Sequence, residues 1–205
     1  MAAWDAVKEY YDTRAPEYDE WYLGTGRFAS RERPGWLDAV AALEQAIATL
    51  RPAKTLDVAC GTGFLTRFLP GSVTGLDQSE RMIEIARARI PDAAFAQADA
   101  VPLPFDDASF DRVFTGHFYG HLDADEREAF LAGARRVAPE LIVVDSAVRP
   151  DHEREEVQER ILNDGSTYEV YKRYFDGGEL ARELGGGTVV HQSDWFVMVA
   201  TEQRR

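Results

Sequence analysis

The sequence predicts an α/β fold built around a mostly parallel β-sheet. Short apolar runs, such as residues 56–58 and 141–144, alternate with stretches whose apolar residues recur at helical spacing. This alternation is typical of a parallel sheet with helices packed on its faces. Near the C-terminus, residues 188–191 and 195–201 predict an antiparallel pair that closes one edge of the sheet.

The first predicted strand runs into a glycine turn. Residues 55–66 read TLDVACGTGFLT, with Asp57 at the end of the strand and Gly61 and Gly63 in the turn, and a helix is predicted after Gly63. This arrangement brings a small ligand against bare backbone and unpaired N–H groups. Thr66 stands where a dinucleotide fingerprint has its third glycine, and no Gly-Lys-Ser/Thr of a P-loop follows. The acid would repel a pyrophosphate but suits a ligand that carries an ammonium group.

Acidic residues also end the next two predicted strands. Asp77 follows residues 73–76, about twenty positions after Asp57, where nucleotide-binding α/β folds hold a ribose diol. Asp99 ends residues 94–98 in the same way. Because ligands of open α/β sheets lie at the carboxyl ends of the strands, the three acids predict a site for a cation-bearing nucleoside.

With these motifs the sequence resembles the class I S-adenosylmethionine-dependent methyltransferases, in the broad branch of quinone-biosynthesis and small-molecule enzymes. The resemblance runs from about Tyr10 to Val148 and includes Asp99-Ala-Val-Pro-Leu-Pro-Phe followed by Ser-Phe-Asp. It implies a Rossmann-like sheet of seven strands, the last antiparallel, with helices on both faces. Pro139-Glu140 departs from the family's Pro-Gly-Gly turn, which we expect only to shorten that turn.

The resemblance implies S-adenosylmethionine (SAM) as cofactor and S-adenosylhomocysteine (SAH) as product. A cap segment is expected to fold over the site, with Tyr18 as its contact to the cofactor. Met82 is expected either to lie on the adenine of the cofactor or to pack in the core. The residues predicted to bind the cofactor are Tyr18, Asp57, Ala59, Cys60, Gly61, Gly63, Asp77, Gln78, Met82, Asp99, Ala100 and Thr115.

The chain is predicted to form one domain over residues 1–205, with a cap segment at 1–30 and a Rossmann-like core at 31–205. A helix is expected over 1–21, and Ser30 is expected to cap the next one. Ser79 and the pair Asp123 and Glu126 are predicted to cap two later helices. Residues 151–162 are predicted to form a charged helix and 177–184 a short one.

The acceptor side is predicted from the residues that follow the fourth strand of the sheet. His117 and His121 are the candidate general bases, because histidine titrates near neutral pH, although both have plain packing roles open to them. In-line methyl transfer in an aromatic pocket needs a base only when the acceptor is protonated. The residues predicted to contact the acceptor are Tyr11, Tyr22, Tyr119 and Arg173.

Composition narrows the possible partners. A formal net charge of −13 disfavours nucleic acid and anionic membrane, so a small-molecule acceptor is expected. Cys60 is the sole cysteine, and no apolar run approaches a membrane span, which predicts a cytoplasmic protein. No metal site is expected. A non-catalytic cofactor-binding or partner protein, and another reaction of the sulfonium cofactor, stay open as alternatives, and the sequence assigns no oligomeric state.

Overall fold

The computed structural model describes residues 3–150 and 153–202. A seven-stranded sheet and a separate two-stranded hairpin form its frame. The helices and strands are α1 (Ala3–Arg14), α2 (Glu20–Leu23), α3 (Trp36–Ala48), β1 (Ala53–Val58), β2 (Gly71–Asp77), α4 (Glu80–Arg89), β3 (Ala94–Gln97), β4 (Arg112–Gly116), α5 (Ala124–Val137), β5 (Glu140–Ser146), β6 (Glu155–Ile161), β7 (Thr167–Arg173), α6 (Gly177–Glu183), β8 (Thr188–Gln192) and β9 (Phe196–Glu202).

The sheet has the strand order β3-β2-β1-β4-β5-β9-β8. Strands β1 to β5 pair in parallel, whereas β9 runs antiparallel to β5 and β8 antiparallel to β9. The predicted fold class and the predicted antiparallel pair at the edge are therefore confirmed. The parallel order places the carboxyl ends of β1, β2, β3, β4 and β5 along one side of the sheet, which is where ligands of this architecture lie.

Apolar side chains cover both faces of the sheet. Neighbouring residues on a strand point to opposite faces, so Val113 packs into a core with α5 and α6, whereas Phe114 packs into a core with α3. The predicted helix caps are present as well. Ser79 Oγ accepts a hydrogen bond from Met82 N at 3.2 Å, and Asp123 with Glu126 forms a capping box on α5.

The N-terminal segment departs from its prediction. The helix expected over 1–21 ends at Arg14 and gives way to a 3₁₀ turn (Ala15–Glu17) before α2, because Pro16 cannot continue a helix ladder. The next helix begins at Trp36 after Gly35 in a left-handed conformation, with φ +68°, so Ser30 is not its cap. The segment nevertheless lies over the glycine turn, since Thr62 Oγ1 donates to Asp19 at 2.6 Å.

Two predicted helices are wrong. After Gly63 the chain forms only a 3₁₀ turn (Thr66–Phe68). Residues 155–161, expected in a charged helix, form strand β6 and pair with β7, while Asp151 and His152 lie outside the described residues. Exposed and partly buried residues alternate along β6, which is the period of a strand with one covered face. The charged residues that suggested a helix lie on both faces, and the covered ones face the rest of the protein.

Candidate active site

The glycine turn and the end of β2 are joined by one carboxylate. Gly61 N donates to Asp77 Oδ2 at 2.8 Å, and Ser79 N donates to Asp77 Oδ1 at 2.9 Å. Gly61 adopts φ +55°, a conformation that favours glycine, and a Cβ there would stand 3.6 Å from the ring of Tyr18. Burial raises the pKa of Asp77 to about 6. The turn therefore leaves a narrow cradle between bare backbone and an aromatic ring, with a carboxylate beside it.

Asp57 lies behind this cradle. Thr66 Oγ1 donates to Asp57 Oδ2 at 2.6 Å, while Asp57 Oδ1 is buried without a hydrogen-bond partner among the described residues. Burial raises the pKa of Asp57 to about 7. An unsatisfied buried acceptor of this kind is costly unless a donor reaches it or the acid takes a proton. Thr66, which the sequence marked only as a missing glycine, holds the side chain in place.

A cavity of about 290 Å³, here called the acidic cavity, opens at the carboxyl ends of β1 to β4. Its charged lining residues are Asp77, Asp99, Glu126 and Glu169, and no lysine or arginine lines it among the described residues. It brings together most of the residues predicted from the sequence. Those that line it are Tyr11, Tyr18, Ala59, Gly61, Asp77, Gln78, Met82, Asp99, Ala100, His117 and His121.

The remaining predicted cofactor residues support the cavity from behind. Thr115 Oγ1 donates to the carbonyl of Val58 at 2.8 Å, and Cys60 is buried beside Asp57. Gly63 has φ +74°, and a Cβ there would meet Ala86 of α4 at 3.3 Å, so this glycine permits close packing of the turn on α4. These residues shape the turn but do not line the acidic cavity.

Three residues predicted to contact the acceptor do not line the acidic cavity or the second cavity described below. Tyr22 is buried and stacks on Phe64 with ring centroids 4.0 Å apart. Tyr119 donates to Glu183 Oε1 at 3.0 Å, and Arg173 pairs with the same carboxylate at 2.9 Å. Tyr22 therefore has a packing role, Tyr119 and Arg173 have hydrogen-bond and ion-pair roles, and their contact with the acceptor stays a prediction that neither cavity supports.

Lys172, which the sequence analysis missed, faces the interior in place of Arg173. The two residues are adjacent on β7, and side chains alternate along a strand. Lys172 is buried and pairs with the carboxylate of Asp145 at the end of β5. Burial alone would raise the pKa of Asp145, but the Lys172 ammonium holds it below its usual range. The sequence signal for the inward position of Lys172 is the period-2 pattern of residues 167–173, which is typical of a strand.

A second cavity, of about 230 Å³, lies between the N-terminal segment, residues 31–36 and the hairpin β6–β7. We call it the basic cavity, because Glu32 is the single acid among its charged lining residues within the described part of the chain. Four residues line both cavities, so the two spaces meet there: Tyr11, Tyr18, His117 and His121. Its cationic lining residues are Arg14, Arg31, Arg33, Arg149, Arg160 and Lys172.

The two histidines lie at this junction, close to the buried pair of Lys172 and Asp145. His121 Nδ1 lies 2.6 Å from the carbonyl of Tyr171, so this nitrogen carries the proton and Nε2 is the free acceptor. Burial, with the nearby Lys172 ammonium, lowers the pKa of His121 to about 3. His117 adopts φ +57° and packs edge-on against Trp21, with centroids 4.9 Å apart. Burial lowers its pKa too, so both rings are neutral near pH 7.

Neither a metal cluster nor a membrane-spanning helix appears in residues 3–150 and 153–202. No group of three or more His, Cys, Asp or Glu side chains is arranged to hold a metal ion there. No helix in this part of the chain is both long enough and apolar enough to cross a bilayer.

Comparisons with known proteins agree with this geometry. The family model described as a methyltransferase domain matches residues 55–140, a segment that contains most of β1, the turn and strands β2 to β4. A demethylmenaquinone methyltransferase of Thermotoga maritima is 40% identical over 96 residues, which cover 44% of this chain and 41% of that protein. A phthiotriol/phenolphthiotriol dimycocerosates methyltransferase of Mycobacterium tuberculosis is 42% identical over 94 residues, covering 41% and 33%. The matched segment thus spans about two fifths of the first relative's length.

Three solved structures resemble the chain over more than nine tenths of its length. A complex of DhpI with SAH has a TM-score of 0.76 and 28% identity, and the match covers 98% of this chain and 97% of that one. A complex named DhpI–SAM–HEP has a TM-score of 0.72 and 27% identity, covering 96% and 95%. The PH0226 protein from Pyrococcus horikoshii OT3, at 19% identity and a TM-score of 0.65, shares the fold, with coverage of 92% and 99%.

The strand order, the glycine turn and these matches define the class: residues 55–140 match a methyltransferase domain, and the chain has the fold of class I S-adenosylmethionine-dependent methyltransferases. The predicted class and its predicted cofactor are thereby confirmed. The observed site fits that cofactor, because a bare glycine turn faces Tyr18 and the carboxylate of Asp77 lies at the end of β2.

Proposed function

We propose that the protein transfers the methyl group of SAM to a small-molecule acceptor, with the cofactor in the acidic cavity and the acceptor in the basic cavity. The observation that carries the proposal is the junction of the two cavities at Tyr11, Tyr18, His117 and His121. In-line methyl transfer needs the donor and the acceptor held close together and aligned, and two cavities that meet at one junction allow this. The resemblance to demethylmenaquinone and phthiotriol methyltransferases supports a small acceptor.

The chain's own residues would hold the cofactor in the following way. Asp77 accepts hydrogen bonds from hydroxyl groups, as acids at the end of the second strand do for a ribose in such folds. Gly61 permits close approach to the turn, and Met82 lies in the first turn of α4, where it would pack against the adenine ring. When bound, SAM supplies an electrophilic methyl group on a sulfonium. The protein's contribution is to position that group and to exclude water.

The junction residues orient the acceptor. Neutral His121 offers Nε2 as a hydrogen-bond acceptor, which can align the lone pair of a protonated nucleophile. With a pKa near 3 the ring is too weak a base to keep the proton, so the proton released on methyl transfer passes on to solvent. Tyr11 and Tyr18 have pKa values raised by burial and remain neutral phenols. Positioning and desolvation therefore carry the mechanism, with His121 as an orienting residue.

Methyl-labelled SAM tests this function directly. The protein is incubated with labelled cofactor and a metabolite extract, and SAH is measured beside the label found in small molecules. We expect SAH and labelled product in equal amounts, with both lost in Asp77→Asn at limiting cofactor. SAH binding without any SAH formation across all extract fractions would instead favour a non-catalytic cofactor-binding protein.

A further inference from the structure

The basic cavity is anomalous in a chain of this charge. Six cationic side chains converge on about 230 Å³ with Glu32 as the single lining acid within the described residues, although the chain carries a formal net charge of −13. These cations come from four separate places: Arg14 ends α1, Arg31 and Arg33 precede α3, Arg149 follows β5, and Arg160 and Lys172 lie on the hairpin. These residues are far apart in the sequence, so only the folded chain brings them together.

Most of this charge is not neutralised by the protein. Lys172 pairs with Asp145, but none of Arg14, Arg31, Arg33 and Arg160 has a carboxylate within ion-pair distance in the described part of the chain. Arg160 donates from one terminal nitrogen to Gln158, and its buried Nε has no partner among the described residues. A buried guanidinium donor without an acceptor is costly, so this donor is left for a ligand.

Aromatic rings hold two of these arginines in place without cancelling their charge. The guanidinium of Arg14 lies 4.7 Å from the ring centroid of Tyr18 and also donates to the hydroxyl of Tyr10. Arg33 lies 4.0 Å from the ring centroid of Trp36 and donates to a backbone carbonyl. Such cation–π contacts fix the planes of guanidinium groups and leave donors free. The cavity is thus prearranged for planar, bidentate recognition.

The cations also repel one another. Burial lowers the pKa of Arg31, and the neighbouring Arg160 and Arg14 lower it further. Burial, with Arg31 beside it, lowers the pKa of Arg33 to about 10. An anion placed among these side chains would relieve the repulsion and satisfy the free donors together, whereas a neutral ligand would leave both costs in place.

Building on the proposed function, we propose that the methyl acceptor carries an anionic oxyacid group, of carboxylate or phosphate type, that Arg14, Arg31, Arg33 and Arg160 bind. Guanidinium groups match the oxygen geometry of these anions through paired N–H donors. The bound group anchors the acceptor in the basic cavity, and the rest of the molecule extends to the junction at His117 and His121. The anionic group is thereby the specificity determinant, and it excludes neutral analogues that leave the arginines unpaired.

Calorimetry on the SAH-bound protein tests the anion site with inorganic phosphate and acetate as probes. We expect saturable binding of at least one probe at low ionic strength, weakened about tenfold or more in Arg160→Gln. Arg160→Lys should retain more affinity than Arg160→Gln, because it keeps the charge. The matched control is Arg154→Gln, directly before β6, because the exposed side chain of Arg154 pairs with Glu179 and does not line the cavity. It should leave probe affinity unchanged.

The relative affinity of the probes distinguishes the two sources of the group. Tighter binding of phosphate at pH 8 indicates a doubly charged acceptor, and tighter binding of acetate indicates a carboxylic acid. The inference is overturned if neither probe binds to folded, SAH-bound protein, or if Arg154→Gln and Arg160→Gln weaken binding equally. Far-UV circular dichroism and retained SAH affinity establish that each variant is folded.

A labelling experiment separates failure of this inference from failure of the proposed function. The metabolite extract is divided by anion exchange into acidic and neutral fractions before incubation with methyl-labelled SAM. Label confined to the acidic fraction is the expected result. Label confined to the neutral fraction would contradict the anionic acceptor while leaving methyl transfer intact, and SAH binding with no SAH formed in either fraction would contradict the methyltransferase activity itself.

Discussion

The two cavities differ in charge, in origin and in how far the sequence predicts them. The acidic cavity is built from short segments at the ends of consecutive strands, and its lining contains Asp77 and Asp99 but no described cation. The basic cavity is built from the N-terminal segment and a late hairpin, and its lining includes Arg14 and Arg160. Under the proposed assignment of the cavities, the residues that bind the donor lie close together in the sequence, while those that bind the acceptor come from distant parts of the chain.

The largest expected effect is the loss of SAH binding when the acidic cavity is blocked by a substitution in the glycine turn. Gly61→Val should abolish detectable SAH binding, because the side chain would fill the gap before Tyr18 and a φ of +55° disfavours a β-branched residue. Thermal shift with and without SAH is the measurement. Gly186→Val is the matched control, since Gly186 also has positive φ, at +106°, and nothing lies within 4 Å of its Cβ position. A Gly61→Val protein still stabilised by SAH would remove the turn from the site.

A smaller loss is expected from the carboxylate at the end of β2. Asp77→Ala should weaken SAH binding by about 1.5–3 kcal/mol, roughly ten- to a hundred-fold, because a charge-assisted pair of hydrogen bonds is lost. Asp77 also accepts from Gly61 N and Ser79 N, so calorimetry should be accompanied by circular dichroism. Unchanged affinity in a folded variant would contradict the assignment of Asp77.

The raised pKa values of Asp57 and Asp77 predict a pH dependence of cofactor binding. In the free protein burial raises these pKa values to about 7 and about 6, so both acids take up protons as pH falls through that range. Hydroxyl donors of the ligand favour the ionised form of Asp77, which lines the acidic cavity, so SAH affinity should rise by several-fold from pH 5.5 to pH 8. Phosphate and acetate, bound by arginines, should not follow this profile. A fall in SAH affinity with rising pH would contradict the predicted direction of this pH dependence.

The smallest expected effect concerns His121. Its pKa of about 3 keeps the ring neutral above pH 5, so the turnover rate should show no inflection from this residue near pH 6.5. His121→Gln keeps a hydrogen-bonding side chain and should lower kcat by less than about tenfold, without changing SAH affinity. A loss of a hundredfold with a vanished acid limb in the pH profile would restore His121 as the general base.

The sequence predicts the sheet, and it predicts many of the residues that line the acidic cavity, because the determinants of both are adjacent in the chain. A short pattern of an apolar strand, a glycine turn with Gly61 and an acid such as Asp77 at the end of the next strand predicts a ligand site at this edge of the sheet. The role of Thr66 could not be predicted from this pattern, because it depends on the hydrogen bond to Asp57 and not on its position in a motif.

The acceptor side could not be predicted in the same way. Strand β6 was mistaken for a helix, because its charged residues resemble a solvated helical face until their pairing with β7 is known. The sequence analysis names Arg173 as a candidate and names neither Lys172 nor Arg160. Residues such as Arg14 and Arg160 are 146 positions apart, and only tertiary structure brings them to one cavity.

The central claim, that separate cavities hold donor and acceptor, is tested most directly by measuring two ligands on two variants. Calorimetry gives the affinities of SAH and of inorganic phosphate for Asp77→Asn and for Arg160→Gln, each compared with the unmodified protein. We predict that Asp77→Asn loses SAH affinity and keeps phosphate affinity, while Arg160→Gln does the reverse. Loss of both ligands in either folded variant, or loss of phosphate in Asp77→Asn alone, would contradict the division of the site into an acidic donor cavity and a basic acceptor cavity.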